Sequence, residues 1–207
     1  MIAAVVLGLY VVYQLSWTNV QSSLVASSIS SELRQRFEAQ DKGEPREVAN
    51  ESVAEDFGAY ALIYIPALGD DVMGLPVMRG TSDAQLAAGI GQYESSEEPG
   101  EIGNLTLAGH RATNGEPFAR FELLSAGDLV YIQTAEGWYV YELFADQKVR
   151  DTEVWTISDA PAGQQVWDER LITLTTCDPR WNSTQRWVRW GTLVEFSIDN
   201  PMPGARL

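Results

Sequence analysis

The sequence predicts one all-β domain, a closed barrel or sandwich, set behind an apolar N-terminal helix. Two observations lead there. Short runs of alternating or β-branched residues recur from residue 57 onward with only brief helices between them, and no internal repeat divides the chain. The 207 residues, 45% of them hydrophobic and 10% aromatic, suffice for one real core and are too few for two large domains.

The elements follow in order. Residues Ile2 to Leu15 are apolar apart from Gln14, with Trp17 where an interfacial anchor stands. Fourteen helical residues span roughly 21 Å, short of a hydrocarbon core of roughly 30 Å. Residues 1–18 are read as a transmembrane or signal-anchor segment, against a buried helix or a cleaved signal. Residues 19–56 are read as a juxtamembrane helix and a charged linker. Val25, Ile29, Leu33 and Phe37 recur every four positions, giving one apolar helical face. That face continues the anchor helix, packs on the domain, or pairs with a neighbour. From Glu38 to Asp56 the chain is charged and poor in large apolar residues, a linker composition.

The globular domain is expected over 57–198. Ala61 to Pro66 reads as a strand stopped by proline. Ser82 to Ala88 reads as a short helix capped by Ser82 or Asp83 and ended by Gly89. Asn104 to Ala108 alternates as a strand. Leu129 to Thr134 and Trp138 to Val149 read as a hairpin joined through Ala135-Glu136-Gly137. Arg170 to Thr176 and Trp187 to Ile198 complete the set, and 199–207, with two prolines, reads as a tail.

Composition excludes several functions. With 29 acidic against 14 basic residues the formal net charge is −15, which repels phosphate backbones, so no nucleic-acid partner is expected. There is one cysteine, Cys177, and one histidine, His110, so no intramolecular disulfide can form and a Cys/His zinc site lacks ligands. No metal and no cofactor are expected. The loop bearing Glu94, Glu97, Glu98 and Glu101 is read as a solvated acidic loop rather than a calcium site.

The chemistry centres on Cys177. It ends the run Leu171-Ile172-Thr173-Leu174-Thr175-Thr176 and is followed by Asp178-Pro179, which cannot continue a central strand. The thiol is therefore expected at a strand end, on a loop held by a rigid scaffold, where functional groups concentrate. A free thiol is only a few per cent thiolate at neutral pH, so a nucleophilic cysteine needs a cation or base beside it. Any Cys–His pairing must use His110, 67 positions upstream and just past another strand. A positive group is also needed where charge develops on the attacked carbonyl. Arg180, Arg186 and Arg189 all follow the cysteine, and local reasoning does not choose among them.

Two stretches resemble the signature of sortases: Thr173-Leu174-Thr175-Thr176-Cys177 with Arg186 nine positions on, and Asn104-Leu105-Thr106-Leu107-Ala108-Gly109-His110-Arg111 with Gly115-Glu116-Pro117-Phe118 behind it. The N-terminal anchor, the Ala61 to Pro66 strand and the PGEIGN stretch fit as well, and the resemblance points to the class E sortases of actinobacteria. It implies an eight-stranded β-barrel and a cysteine transpeptidase with catalytic His110, Cys177 and Arg186. Thr176 matches the position that helps hold the oxyanion through its backbone, and Thr175 and Asn114 are grouped with it as oxyanion or substrate-binding residues. Asn114 stands where class E members usually carry tyrosine, in a loop bordering the substrate groove.

The resemblance further implies cleavage of a Leu-Pro/Ala-x-Thr-Gly-like signal between Thr and Gly through a thioacyl-enzyme. The implied partners are secreted proteins bearing that C-terminal sorting signal, a peptidoglycan precursor or pilin amine as acceptor, and the membrane. The implied location is the cell membrane, with a single N-terminal anchor and an extracytoplasmic catalytic domain.

Overall fold

Alternation along the strands sends every second side chain to a common interior. Ile63, Val77, Leu105, Leu107, Ile132, Ile172 and Leu174 lie there in one buried cluster. The computed structural model describes residues 2–43, 52–158 and 168–203, with side chains from residue 19 onward. Among the described residues eight strands enclose that interior: β1 (Ala59–Tyr64), β2 (Met73–Arg79), β3 (Ile90–Gln92), β4 (Gly103–Ala108), β5 (Leu129–Thr134), β6 (Gly137–Arg150), β7 (Arg170–Asp178) and β8 (Gln185–Ser197). They close in the order β1-β2-β3-β4-β7-β8-β6-β5. Neighbours are antiparallel except β2 with β3 and β4 with β7, which run parallel. The eight-stranded barrel implied by the sequence is the fold of the domain.

Among the described residues three α-helices accompany the barrel: α1 (Ile2–Asp41), α2 (Val53–Asp56) and α3 (Asp83–Ala88). The helix α1 runs without a break through the expected juxtamembrane stretch and packs on the domain. Ile29, Leu33 and Phe37 are buried against Leu62 and Tyr64 of β1, Met78 of β2 and Trp138 of β6. Burial of side chains this size contributes roughly 1.5–3 kcal/mol each. Ser30 Oγ donates to the Gly74 carbonyl at 2.8 Å, fixing the helix axially on β2. This cover explains why Leu62, Ile63 and Tyr64 are all fully buried: one face of β1 meets the barrel core and the other meets α1.

The helix also extends three residues beyond Glu38, into the stretch expected to be linker, and that stretch ends docked. Ser52 caps α2 by accepting from the Glu55 amide at 3.0 Å and donates to Glu32 of α1 at 2.6 Å. The interior of the linker (44–51), the end of the tail (204–207) and the side chains of the expected anchor (1–18) lie outside the described residues. Among the described residues no helix is long and apolar enough to cross a membrane. The helix α3 forms as its sequence predicts: Ser82 and Gln85 make a capping box and Gly89 ends the turn.

Candidate active site

The site is a consequence of register. The parallel strands β4 and β7 pair from Gly103 with Arg170 to Ala108 with Thr175, a constant offset of 67. His110 and Cys177 stand two residues past the last pair with that same offset, so the two segments leave the sheet side by side. Two further bonds hold them together: the Gly109 amide donates to the Thr175 carbonyl at 3.2 Å, and Thr176 Oγ1 donates to the Gly109 carbonyl at 2.7 Å. Across the antiparallel β7–β8 pair, Cys177 is the direct partner of Arg186. Directly opposed residues share a face of the sheet. Three segments thus bring His110, Cys177 and Arg186 to one rim.

The face is set by the same alternation that builds the core. Leu105, Leu107, Ile172 and Leu174 point inward, so Asn104, Thr106, Thr173 and Thr175 lie on the outer face, and Cys177 extends that row. Thr175 is buried on this outer floor, while Thr176 alternates inward. Of Arg180, Arg186 and Arg189, only Arg186 faces the thiol. Arg189 is 5% exposed and lies against the rings of Phe121 and Trp187 at the inner barrel end. Arg180 pairs with Glu116. The guanidinium of Arg186 is itself anchored, Nη1 donating to the Ser183 and Gln185 carbonyls at 3.1 and 3.0 Å. The strand β7 does not end at Cys177 as its sequence suggests. It continues to Asp178, paired with Gln185, before the Asp178–Pro179 bond turns the chain.

His110 and Cys177 are both half-buried. Burial pushes the imidazole below its ordinary pKa, and the Asp83 carboxylate partly restores it. Asn114 Nδ2 lies 3.4 Å from His110 Nε2, placing this residue against the imidazole. Asn114, Gly115 and Glu116 all have left-handed backbone, with φ of 52°, 79° and 48°. For a glutamate that conformation costs about 1 kcal/mol or more. It is held from two sides: Arg180 pairs with the Glu116 carboxylate, and Asn19 of α1 accepts from the Gly115 amide at 3.1 Å. Behind the loop, Asn114, Gly115 and Pro117 join α1, β2 and α3 in lining a cavity of about 280 Å³. Gly109 has no room for a side chain, since a Cβ there would come within 2.7 Å of the Phe118 ring and 2.8 Å of Ile90.

Sequence reasoning missed three residues here. Tyr93, just past β3, has its phenol pKa raised by burial, with the Arg186 charge lowering it and the Cys177 charge raising it, so the ring lies within electrostatic reach of both groups. Nothing in the sequence separates it from the other tyrosines. Arg111 and Asp178, the chain neighbours of His110 and Cys177, form an ion pair with each other. Their adjacency to the two candidates was the available signal.

The acidic loop serves its own architecture. Glu97 accepts from the Asn104 amide at 2.9 Å, Glu98 pairs with Arg79 at 2.9 Å, and Glu101 accepts from the Glu98 amide at 3.1 Å. Among the described residues no group of three or more His, Cys, Asp or Glu is placed to hold a metal ion.

The arrangement has counterparts among known proteins. A family model described as the sortase domain matches residues 63–194. Sortase SrtE1 of Streptomyces coelicolor is 32% identical over 92% of this chain, which spans 54% of that protein. Sortase SrtE2 of the same organism is 30% identical over 93% of this chain and 78% of its own length. The solved structure of sortase E from Streptomyces avermitilis superposes with a TM-score of 0.60 at 33% identity, covering 67% of this chain and 90% of that one.

Proposed function

The chain belongs to the sortase family, and on that premise we propose that it is a cysteine transpeptidase using Cys177 as nucleophile, His110 as acid and base, and Arg186 at the oxyanion. The observation that carries this reading is the double register: Cys177 opposite Arg186 across β7–β8, and level with His110 across the parallel β4–β7 pair.

The Cys177 thiolate attacks the Thr carbonyl carbon of a Leu-Pro/Ala-x-Thr-Gly-like sorting signal. The developing oxyanion takes charge-assisted hydrogen bonds from Arg186, with the Thr176 backbone beside it. The C–N bond to glycine breaks as His110 gives its proton to the leaving amine, and a thioester remains on Sγ. An acceptor amine then attacks the thioester. His110 takes the amine proton, the C–S bond breaks, and the thiolate is regenerated.

The acceptor is proposed to be a peptidoglycan precursor or a pilin amine, and the substrates secreted proteins bearing the signal. The outer-face rim where the half-buried His110 and Cys177 meet Arg186 supports an extended peptide crossing it, with Asn114 as a flanking contact and the buried Thr175 as the floor beneath. A membrane location with the catalytic domain outside the cytoplasm rests on the apolar run from Ile2 to Leu15.

Mass spectrometry of a sorting-peptide library incubated with the protein and several amines tests the reading. Cleavage after Thr with capture of an amine is expected, and both vanish in Cys177→Ala. Cleavage that persists in Cys177→Ala overturns the assignment, and product that never incorporates an amine replaces transpeptidation with hydrolysis.

A further inference from the structure

We propose that the buried ion pair between Arg111 and Asp178 is the positioning device that sets His110 against Cys177. This rests on the reading of those two residues as the reacting pair.

Consecutive residues of an extended chain point to opposite sides. Cys177 and His110 lie on the outer face, so Asp178 and Arg111 turn to the inner side of the same rim. There they meet. Arg111 Nη1 donates to Asp178 Oδ1, and the side chains are only 10% and 8% exposed. The same nitrogen reaches the Cys177 carbonyl at 3.5 Å. Lys148 Nζ takes the second oxygen of Asp178 at 3.1 Å, and Glu122 accepts from Arg111 Nη2 at 3.2 Å. Arg111 and Lys148 both lie over the Trp187 ring, at 5.1 and 4.3 Å from its centroid. Trp187 packs on the barrel core. The pair therefore rests on a rigid base directly beneath the two reacting groups.

The β4–β7 ladder ends with the Gly109 amide. Beyond it, the Thr176 hydroxyl bond to Gly109 and the contacts of Arg111 with Asp178 and the Cys177 carbonyl tie these two segments together through side chains. The loop that follows His110 passes through three left-handed residues. A covalent neighbour of each reacting residue is thus clamped to a covalent neighbour of the other. Buried ion pairs contribute little net stability against an apolar replacement, and their better-attested use is to select one arrangement; here Lys148 on Asp178 and Glu122 on Arg111 keep each charge partnered when the pair is broken. A displacement of about 1 Å in such a pair costs about 100-fold in rate.

The test uses the uniqueness of both groups. The pH profile of iodoacetamide alkylation reports Cys177 alone, and comparison with His110→Ala defines how far the imidazole shapes it. Arg111→Gln and Asp178→Asn are expected to move the profile to that of His110→Ala. On a sorting peptide they are expected to lower kcat about 10- to 100-fold with KM within about threefold. Arg111→Lys, which keeps charge but loses the planar fork, recovers part of the loss. Glu122→Gln, which removes the half-exposed partner, leaves the profile in place. Circular dichroism at the assay temperature confirms folding, with Asp178→Asn the milder variant.

Folded variants whose alkylation profile and kcat match the unmodified protein overturn the proposal. Overlapping profiles for the unmodified protein and His110→Ala overturn the Cys–His reading itself, and this inference with it.

Discussion

Thr176 donates its hydroxyl hydrogen to the carbonyl of Gly109, so the residue before the cysteine is bonded to the residue before the histidine. Both Thr176 and Gly109 are buried. Replacing Thr176 by the isosteric valine removes the donor and leaves that carbonyl unpaired, at a cost of about 1–3 kcal/mol. Chemical denaturation of Thr176→Val is expected to show this loss, with reduced kcat on a sorting peptide. Thr176→Ser restores most of both.

Arg186 faces Cys177 through the strand register and is anchored by two loop carbonyls. Lysine offers a mobile point charge in place of a planar fork. Arg186→Lys is expected to lower kcat about 10²–10³-fold with little change in KM, as for loss of an oxyanion donor. Steady-state kinetics on a cleavable peptide measures the split.

As the lone histidine, His110 can be followed by its own NMR titration. Burial holds the folded pKa below the ordinary imidazole value of about 6.5, so the midpoint is expected beneath that figure. Because the Asp83 carboxylate raises it, Asp83→Asn should move the midpoint lower still. The sign for stability follows. With a depressed folded pKa, the unfolded chain binds the proton first, so stability is full above about 6.5 and declines as pH falls through the folded value. Thermal midpoints measured across that window should drop toward low pH, and less so in His110→Gln.

Leu33 is 2% exposed in the α1–barrel contact, whereas Leu24 on the same helix is 65% exposed. Leu33→Ala is expected to cost about 2–5 kcal/mol by denaturant titration. Leu24→Ala should stay within about 0.5 kcal/mol. Equal effects would mean that α1 does not pack as described.

Much of the barrel was legible because period-two alternation survives wherever one face meets the core, as in Leu105 and Leu107 or Ile172 and Leu174. The strands that escaped notice lack that signal for physical reasons. In β2, Gly74 and Pro76 read as loop chemistry, yet proline is tolerated there, and Val77 and Met78 are both buried because α1 covers the outer side. β3 has three residues, one a glycine, too few to show a period. In the site, the candidates were found by counting: one thiol, one imidazole. Local reasoning leaves Arg186 level with Arg180 and Arg189 and only the family resemblance singles it out; strand register supplies the reason, converting sequence distance into a face. Arg111 and Asp178 were hidden because a buried ion pair between residues 67 positions apart leaves no local pattern.

Closure of the sheet has a consequence for how a substrate is read. Every strand of the barrel has a neighbour on each side, although β3 meets β4 at only two paired positions, so an incoming extended peptide finds no fully open strand edge to join. Main-chain pairing, which accepts almost any sequence, is largely denied to it. Discrimination is expected to fall instead to side chains around the half-buried Cys177 and His110, such as Asn114, and to the loops that carry them. On the proposed function, a catalyst selecting one short motif gains selectivity from having its edges closed.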